Sequence, residues 1–405
     1  MLPADRPTRQ ALYRLGQRLE RRSPFPPELP PAAAQARRRV LAELDTYLNG
    51  FATQAQARGM RVWWAEDYQQ ADRLVIERIR ESGCTEALRN HSPLYDEIAL
   101  DRAAAGNGIE LIPIHPGDHY VHLTGASPLH LIWPSAHLDL RHLATAMAKA
   151  WKVPPSFDPD LLAATARLRL RPLLLAVKVA VVGVHFAVAA DGSLVCLDND
   201  GHNAHLMALA EHLICLVGIE QVVADIADLE LLIRAFSLGA WGQEQAHYVG
   251  IIAGPQRTAA GPRQVDVILL DNGRRRALAA GLSAGLACIG CGACHAACPV
   301  YRQVGAMAYG RHARNGPIGA VLNPALWPER RTQHQPHLSS GCRACAAVCP
   351  VGIDLPDLLA RQRRGLAARA PWGERLGFWL WQRLLFYPRL FIPALRLARR
   401  LLWRA

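Results

Sequence analysis

A chain of 405 residues is long enough to hold two or three domains and to bury a full core. Its net charge of +12 raises nucleic acid as a partner, but much of the excess is arginine near the two ends and no DNA- or RNA-binding motif accompanies it, so nucleic acid is not expected. Met1 to Gln54 shows no apolar core segment with a small-residue cleavage site, so no secretory signal is expected. The longest apolar stretch, Leu173 to Ala189, is broken by Lys178 and His185 and falls short of the ~20 residues a spanning helix needs.

Residues 1–40 are polar, with a proline-rich stretch from Pro24 to Pro31, and read as an N-terminal arm or linker. From about residue 41 to 280, helical and strand patterns alternate, which implies an α/β domain. Within it, Val184 to Cys196 is apolar and β-branched around Asp191-Gly192 and reads as a hairpin. Asp228 to Phe236 places Leu229, Leu232, Ile233 and Phe236 at helical spacing, with Asp225 or Asp228 as the cap. Val265 to Leu270 reads as a strand ending at the turn Asp271-Asn272-Gly273. Cys84, Cys196 and Cys215 stand alone and read as small core residues, and His119, His185 and His205 as core or surface histidines. No GxGxxG follows a strand, and neither phosphate loops nor Ser-His-Asp signatures are present.

The remaining seven of the ten cysteines fall in two runs within residues 281–360. Cys288, Cys291, Cys294 and Cys298, followed by Pro299, form C-x2-C-x2-C-x3-C-P; Cys342, Cys345 and Cys349 are followed by Pro350. Four thiolates in so short a run suit a cluster of soft metal ions better than disulfides, and a zinc ribbon would explain neither the fourth cysteine nor the proline. The reading is an iron–sulfur protein with two clusters, most simply 4Fe-4S. Exposed cluster-binding thiolates favour a reducing, cytoplasmic compartment. In two-cluster segments the last cysteine of one run crosses to the other cluster. Cys288, Cys291, Cys294 and Cys349 would then hold cluster 1, and Cys298, Cys342 and Cys345 cluster 2, which lacks a fourth ligand. A regular run would place that ligand at Ser339. The second cluster is thus 3Fe-4S, or 4Fe-4S with an oxygen, water or histidine ligand, or has an open iron; His334 and His337 are further candidates. The 43 residues between the runs carry Gly316-Pro317-Ile318-Gly319 and Asn323-Pro324, punctuation suited to a loop packed against the clusters.

Residues 361–405 form a basic amphipathic tail. From Arg375 to Arg404 it has seven arginines (375, 383, 389, 396, 399, 400 and 404) and no acid, interleaved with Trp379, Trp381, Phe386, Tyr387, Phe391 and Trp403. Pro388 and Pro393 should break it into short helices. It reads either as a segment lying on an anionic surface, peripheral to the inner membrane face, or as one packing on the α/β domain or a partner subunit.

The chain from about Tyr47 to the tail resembles the lactate-utilisation iron–sulfur proteins, which join a LUD domain to a two-cluster ferredoxin-like segment. The resemblance is carried by Cys288-Ile289-Gly290-Cys291-Gly292-Ala293-Cys294 with Cys298-Pro299-Val300-Tyr301-Arg302, by Gly316-Pro317-Ile318-Gly319-Ala320-Val321-Leu322, by Ser339-Ser340-Gly341-Cys342 and by Cys349-Pro350-Val351. Upstream, Phe186-Ala187-Val188-Ala189, Val217-Gly218-Ile219-Glu220 and Asp271-Asn272-Gly273-Arg274 look like LUD signatures. The family pattern also has a serine where Ser339 stands. The resemblance implies an α/β LUD domain of the isomerase/CoA-transferase type followed by an α-helical ferredoxin-like dicluster domain. It implies an electron-transfer subunit of a complex oxidising L-lactate to pyruvate, whose partners are a second LUD-domain protein and a cysteine-rich iron–sulfur subunit. The chain departs from the family where a polar set is usual, with Lys178, Val182, His185 and Ala190 in those places. It departs again at Asn199-Asp200-Gly201-His202-Asn203-Ala204-His205, where His replaces an arginine that an anionic substrate would use as a bidentate partner.

Two other readings stand beside this one. The electron wire could serve another 2-hydroxy-acid or a glycerol-phosphate oxidising complex, although such subunits usually lack the LUD domain. The chain could also be a non-catalytic binding module with structural clusters, against which the missing ligand argues, since purely structural sites are normally closed by protein ligands.

Overall fold

The computed structural model describes residues 4–21, 24–256, 261–310, 314–328, 330–368, 372–387 and 391–393. Among these, ten strands form two sheets. The larger consists of β1 (Arg61–Ala65), β2 (Glu86–Arg89), β3 (Glu110–Pro113), β4 (Val179–Gly183), β7 (His212–Gly218) and β10 (Gln264–Leu270). The smaller contains β5 (Phe186–Val188), β6 (Leu194–Asp198), β8 (Val222–Val223) and β9 (Tyr248–Ile252).

Strands β4 and β7 are buried along their whole length and β10 everywhere but Gln264, as their apolar runs require of a parallel sheet covered on both faces. The order is β1-β10-β7-β4-β2-β3, and every pairing is parallel. The chain leaves β2 toward β3 on one side, whereas β4, β7 and β10 run the other way. The order therefore reverses between β2 and β4, the place where open α/β sheets form a crevice at the carboxyl ends of their strands. In the smaller sheet β5 and β6 pair antiparallel across the Asp191-Gly192 turn, giving the expected hairpin. The helix Ile226–Ala240 covers the expected helical stretch, and Asp225 caps it by accepting from the Asp228 N–H.

The described part of residues 1–40 is packed into the fold rather than an arm or linker ahead of it. The helix Arg6–Glu20 buries Ala11, Leu12 and Leu15 in the same apolar cluster as the C-terminal cysteine segment. The helix Leu29–Ala42 turns Ala33 and Arg37 inward. Apart from Arg37, the described arginines here face outward, and Pro7, Pro30 and Pro31 sit in first turns, so average polarity hid two amphipathic helices. Arg37, only 1% exposed, donates to the carbonyls of Val222 (2.8 Å), Ala287 (3.3 Å), Leu286 (3.3 Å) and Glu220. One guanidinium thus ties the N-terminal helix to the end of β7 and to the residues just before Cys288.

The segment between the cysteine runs is also more helical than its turn residues suggest. Gly316–Leu326 is a helix with Pro317 in its first turn, where a missing N–H costs nothing, and Ile318, Ala320, Val321 and Leu322 are all buried. Burying Ile318, Val321 and Leu322 stabilises by roughly 1.5–3 kcal/mol each, which outweighs the interruption at Pro324. Beyond it, the helix Trp372–Leu385 leaves Trp372, Phe378, Trp379 and Trp381 exposed, so its aromatic side chains do not pack on the α/β domain. Pro388, Arg389, Arg396, Arg399, Arg400, Trp403 and Arg404 lie outside the described residues. Among those described, no helix is long and apolar enough to cross a membrane.

Candidate functional site

The two cysteine runs sit at the ends of short helices that bring them face to face. Cys294 lies in the helix Ala293–Ala297, Cys298 caps Pro299–Val304, and Cys345 lies in Ala344–Ala347, which packs against Ala293–Ala297. Cys291, Cys298 and Cys345 are buried, Cys288, Cys294 and Cys349 half-buried, and Cys342 exposed. Burial pushes the Cys294 thiol far up, and the negative charge of Cys288, Cys291 and Cys349 adds to the rise, with Cys345 a smaller contributor. Burial, with Cys298 and Cys342 behind it, pushes Cys345 up to about 12, and Cys349 rises to about 11 through burial with Cys288 contributing. Seven thiols in two such groups suit metal ions that take each as a thiolate.

The surroundings also fit. Backbone N–H groups donate to sulfur at Gly290 to Cys288 (3.4 Å), Tyr301 to Cys298 (3.5 Å) and Ile353 to Cys349 (3.3 Å), bonds that stabilise negative charge on the thiolate. Ser339 lines a small cavity with Cys298, Cys342 and Cys345. His334 and His337 are exposed and do not line it.

Buried aromatic and imidazole rings surround the first run. His295 packs 5.4 Å from His130 and 5.0 Å from Tyr301, and Tyr301 lies 5.7 Å from Tyr309. Burial pushes His130 down to about 4 and keeps it neutral; its Nε2–H donates to the Gly292 carbonyl (3.1 Å) while Nδ1 accepts from the Ile132 N–H (3.1 Å).

A cavity of about 470 Å3 opens directly on Cys291, walled by Arg18, Trp133 and Trp241. The helix Ile226–Ala240 reaches this wall through Gly239, where a Cβ would stand 2.8 Å from the Cys291 sulfur, so a side chain here would force the two apart. Trp133, Asn199 and Trp241 are shared with a second cavity of about 290 Å3 at the carboxyl ends of β2, β3 and β4, the reversal point of the sheet. The sheet's crevice and the first cysteine run therefore adjoin.

The second cavity is lined by His91, His115, His185, Asp198, Asp200 and His202, among others. His91 follows β2, His115 follows β3 and caps the helix Pro116–Thr124, and His185 follows β4. Of the histidines expected to be core or surface residues, His119 and His205 bond nearby carbonyls, of Pro113 and Gly201, but His185 faces this cavity. Burial lowers His185 to about 4, and its Nδ1 accepts from the Leu197 N–H (3.2 Å). His91 Nδ1 lies 2.7 Å from Asp118 Oδ2, and although burial opposes it, this carboxylate shifts the imidazole upward. Burial and the His91 charge push His115 down to about 3. His91, which follows β2, and His115 and Asp118, which follow β3, carry no periodic or motif signal in the sequence, whereas His202 lies in the Asn199–His205 stretch that departs from the family pattern. Cys196 and Cys215 are buried as expected, whereas Cys84 is half-buried with its thiol on the Ser82 carbonyl (3.5 Å).

Between the sheet and the cysteine segment lies a buried ion network. Arg274 bonds Glu97 at 2.6 and 3.0 Å and also pairs with Glu220, whose other oxygen meets Arg314. Burial alone would raise Glu220, but Arg274 and Arg314 outweigh it and hold it at about 2.

Two family profiles match the chain: the LUD domain over residues 21–270, and a 4Fe-4S dicluster domain over residues 284–353. The chain belongs to the LUD-domain family. Its cofactors are two iron–sulfur clusters, and its fold is an α/β LUD domain followed by the helical dicluster domain. Among curated relatives, it is similar to "Lactate utilization protein B" of Macrococcus caseolyticus, at 33% identity over 84% of this chain and 73% of that one. The protein of the same name from Bacillus velezensis is 31% identical over 85% and 73%. A crystal structure of a DUF162 family protein from Deinococcus radiodurans overlaps 57% of this chain and 98% of its own at 12% identity, with a TM-score of 0.32 too low to argue from.

Proposed function

We propose that this LUD protein is the iron–sulfur electron-transfer subunit of a cytoplasmic complex that oxidises L-lactate to pyruvate. The observation that carries the reading is the adjoining of the LUD cavity to Cys291 through Trp133, Asn199 and Trp241, which gives a substrate-sized space a short route to a cluster ligand. The names of the curated relatives supply lactate as the substrate. In this reading Cys288, Cys291, Cys294 and Cys349 hold cluster 1, and Cys298, Cys342 and Cys345 hold cluster 2 with Ser339 at its open corner.

When bound, the clusters accept and pass single electrons and cannot themselves take hydride. The chain contributes the rest. N–H donors to sulfur raise the potential, and buried Tyr301, His295 and Ile318 keep water from the interior. The expected partners are a second LUD-domain protein and a cysteine-rich redox subunit, because two electrons from a hydroxy acid need a group that can collect them before single-electron transfer. The exposed helix Trp372–Leu385 is the candidate contact with those partners or with an anionic membrane face.

The test is anaerobic purification with the proteins encoded beside it, followed by freeze-quench paramagnetic resonance after adding L-lactate, glycolate or glycerol 3-phosphate. Reduction of the clusters by L-lactate is expected. Reduction by glycolate or glycerol phosphate alone would assign the wire to another donor, and no reduction by any hydroxy acid would sink the electron-transfer reading.

A further inference from the structure

We propose that the cavity at the sheet's reversal point holds a divalent transition-metal ion bound by His91, His115 and Asp118. Each of these residues offers one ligand atom, and the three atoms lie within 4.8 Å of one another. Two imidazoles and a carboxylate with open positions form the donor set of mononuclear zinc(II) and iron(II) sites, distinct from the all-thiolate groups of the cysteine segment. The metal site therefore stands apart from the clusters and does not depend on the lactate reading.

The donors are held from behind. Arg89, at the end of β2, bonds Asp101 at 2.8 and 2.9 Å and reaches Asp118 Oδ2 at 3.4 Å, which fixes the carboxylate. The Asp118 N–H donates to His115 Nδ1 (3.3 Å), so Nε2 is the ring nitrogen left to face the cavity. His91 Nε2–H donates to the Leu131 carbonyl, which leaves Nδ1, 2.7 Å from Asp118 Oδ2, as the ligand atom, and the metal would take the place of the proton between them.

The far wall of the cavity points the same way. His202 is 8% exposed, and its Nδ1 is buried with no hydrogen-bond partner among the described residues. Its ring centroid lies 4.9 Å from that of His115, and Asp200 Oδ2 stands 4.0 Å from both His115 Nε2 and His202 Nδ1. An unpartnered buried nitrogen is costly to leave unmet, and an ion with spare coordination positions would meet it directly or through a bound water. Neither lysine nor arginine lines the cavity, while Asp198 and Asp200 do, and the charge of Arg89 behind Asp118 is already met by Asp101, a balance that favours a cation.

Zinc is the probe. The protein is reconstituted anaerobically with both clusters, loosely held iron is removed with a mild chelator, and zinc is added before desalting and metal analysis. One zinc per chain should be retained with the cluster iron unchanged. His115→Ala should abolish retention. Loss of an outer-sphere partner alone typically weakens a metal ~10–100-fold, so loss of a ligand is expected at or beyond the top of that range. His185→Ala, which changes the cavity wall but not the donor set, should retain zinc. X-ray absorption at the zinc edge should show only nitrogen and oxygen ligands near ~2.0–2.1 Å; a sulfur shell near ~2.3 Å would place the zinc in the cysteines and overturn the site. Absence of retained zinc, or equal retention by His115→Ala, would reduce the cluster to an Arg89–Asp118–His91 ion pair. The absorption measurement uses the unmodified chain, so it decides the question even if His115→Ala does not fold.

Discussion

The thiol of Cys349 lies within electrostatic reach of Cys288 and Cys294, and that of Cys298 within reach of Cys342 and Cys345. In the proposed ligand sets each run takes one ligand from the other. Cys298→Ala is expected to lower iron from about eight to about four per chain, removing the cluster held by Cys342 and Cys345 while the Cys288–Cys291–Cys294 signal persists in paramagnetic resonance. Loss of the latter signal alone would mean that the runs bind independently. Ser339, on the wall of the same cavity, tests the open corner. If that position leaves a three-iron cluster, the unmodified chain holds about seven irons and Ser339→Cys about eight, because a thiolate completes the regular C-x2-C-x2-C spacing. An unchanged iron count and spectrum in Ser339→Cys would show that residue 339 does not face the cluster.

Two elements change what the chain's ends can do. The helix Leu29–Ala42 is held by Arg37, whose burial lowers its pKa to about 10 without neutralising it at physiological pH. Arg37→Leu leaves the carbonyls of Val222, Leu286 and Ala287 without their donor, and each unmet buried group costs about 1–3 kcal/mol. Urea unfolding should shift by at least the lower figure, and the clusters should become more sensitive to chelators; a melt unchanged from the parent would make the contact incidental. At the other end, Arg383 stacks over Trp379 at 5.0 Å on a helix whose aromatic residues are exposed. Arginine beside exposed aromatics suits an anionic interface, and such attachment weakens as salt screens the charge. Flotation with anionic vesicles should be lost in a chain ended after Pro371 and should weaken for the full chain as salt is raised. Equal flotation of the shortened chain would refute the membrane role, and dispersal of partner subunits would make the helix an assembly element.

At the scale of the whole molecule, Glu220 joins the sheet to the dicluster domain through Arg274 and Arg314. Its folded pKa of about 2 lies below its ordinary 4.5. The contribution is therefore complete above about pH 4.5 and is lost as pH falls from there toward 2. Glu220→Gln leaves half-buried Arg314 without its carboxylate and buried Arg274 with Glu97 alone, and should cost about 3 kcal/mol near neutrality. It should also flatten the acid limb of the stability profile relative to the parent chain, measured by chemical denaturation from pH 7 to 3. Parallel profiles would place the acid sensitivity in other carboxylates.

What the sequence by itself determined are features whose signal is local. The cluster chemistry follows from thiols at fixed short spacings, the hairpin from Asp191-Gly192 between β-branched runs, and the helix Ile226–Ala240 from apolar residues at helical spacing behind an aspartate cap. Tertiary structure alone decided matters that depend on residues far apart in the chain. Parallel β2, β3 and β4 end at one level, and so gather His91, His115 and His185 from three separate connections onto one cavity, with Asp118 behind His91. Residues 1–40 read as a polar arm because averaged composition cannot show that Leu12 and Arg37 point inward while their neighbours face water. The junction of that cavity with Cys291 depends on Gly239 admitting the cysteine turn against the helix Ile226–Ala240, a contact between residues with no spacing relation to each other. Short-range spacing encodes which groups can bind iron; packing at the strand ends determines what stands next to them.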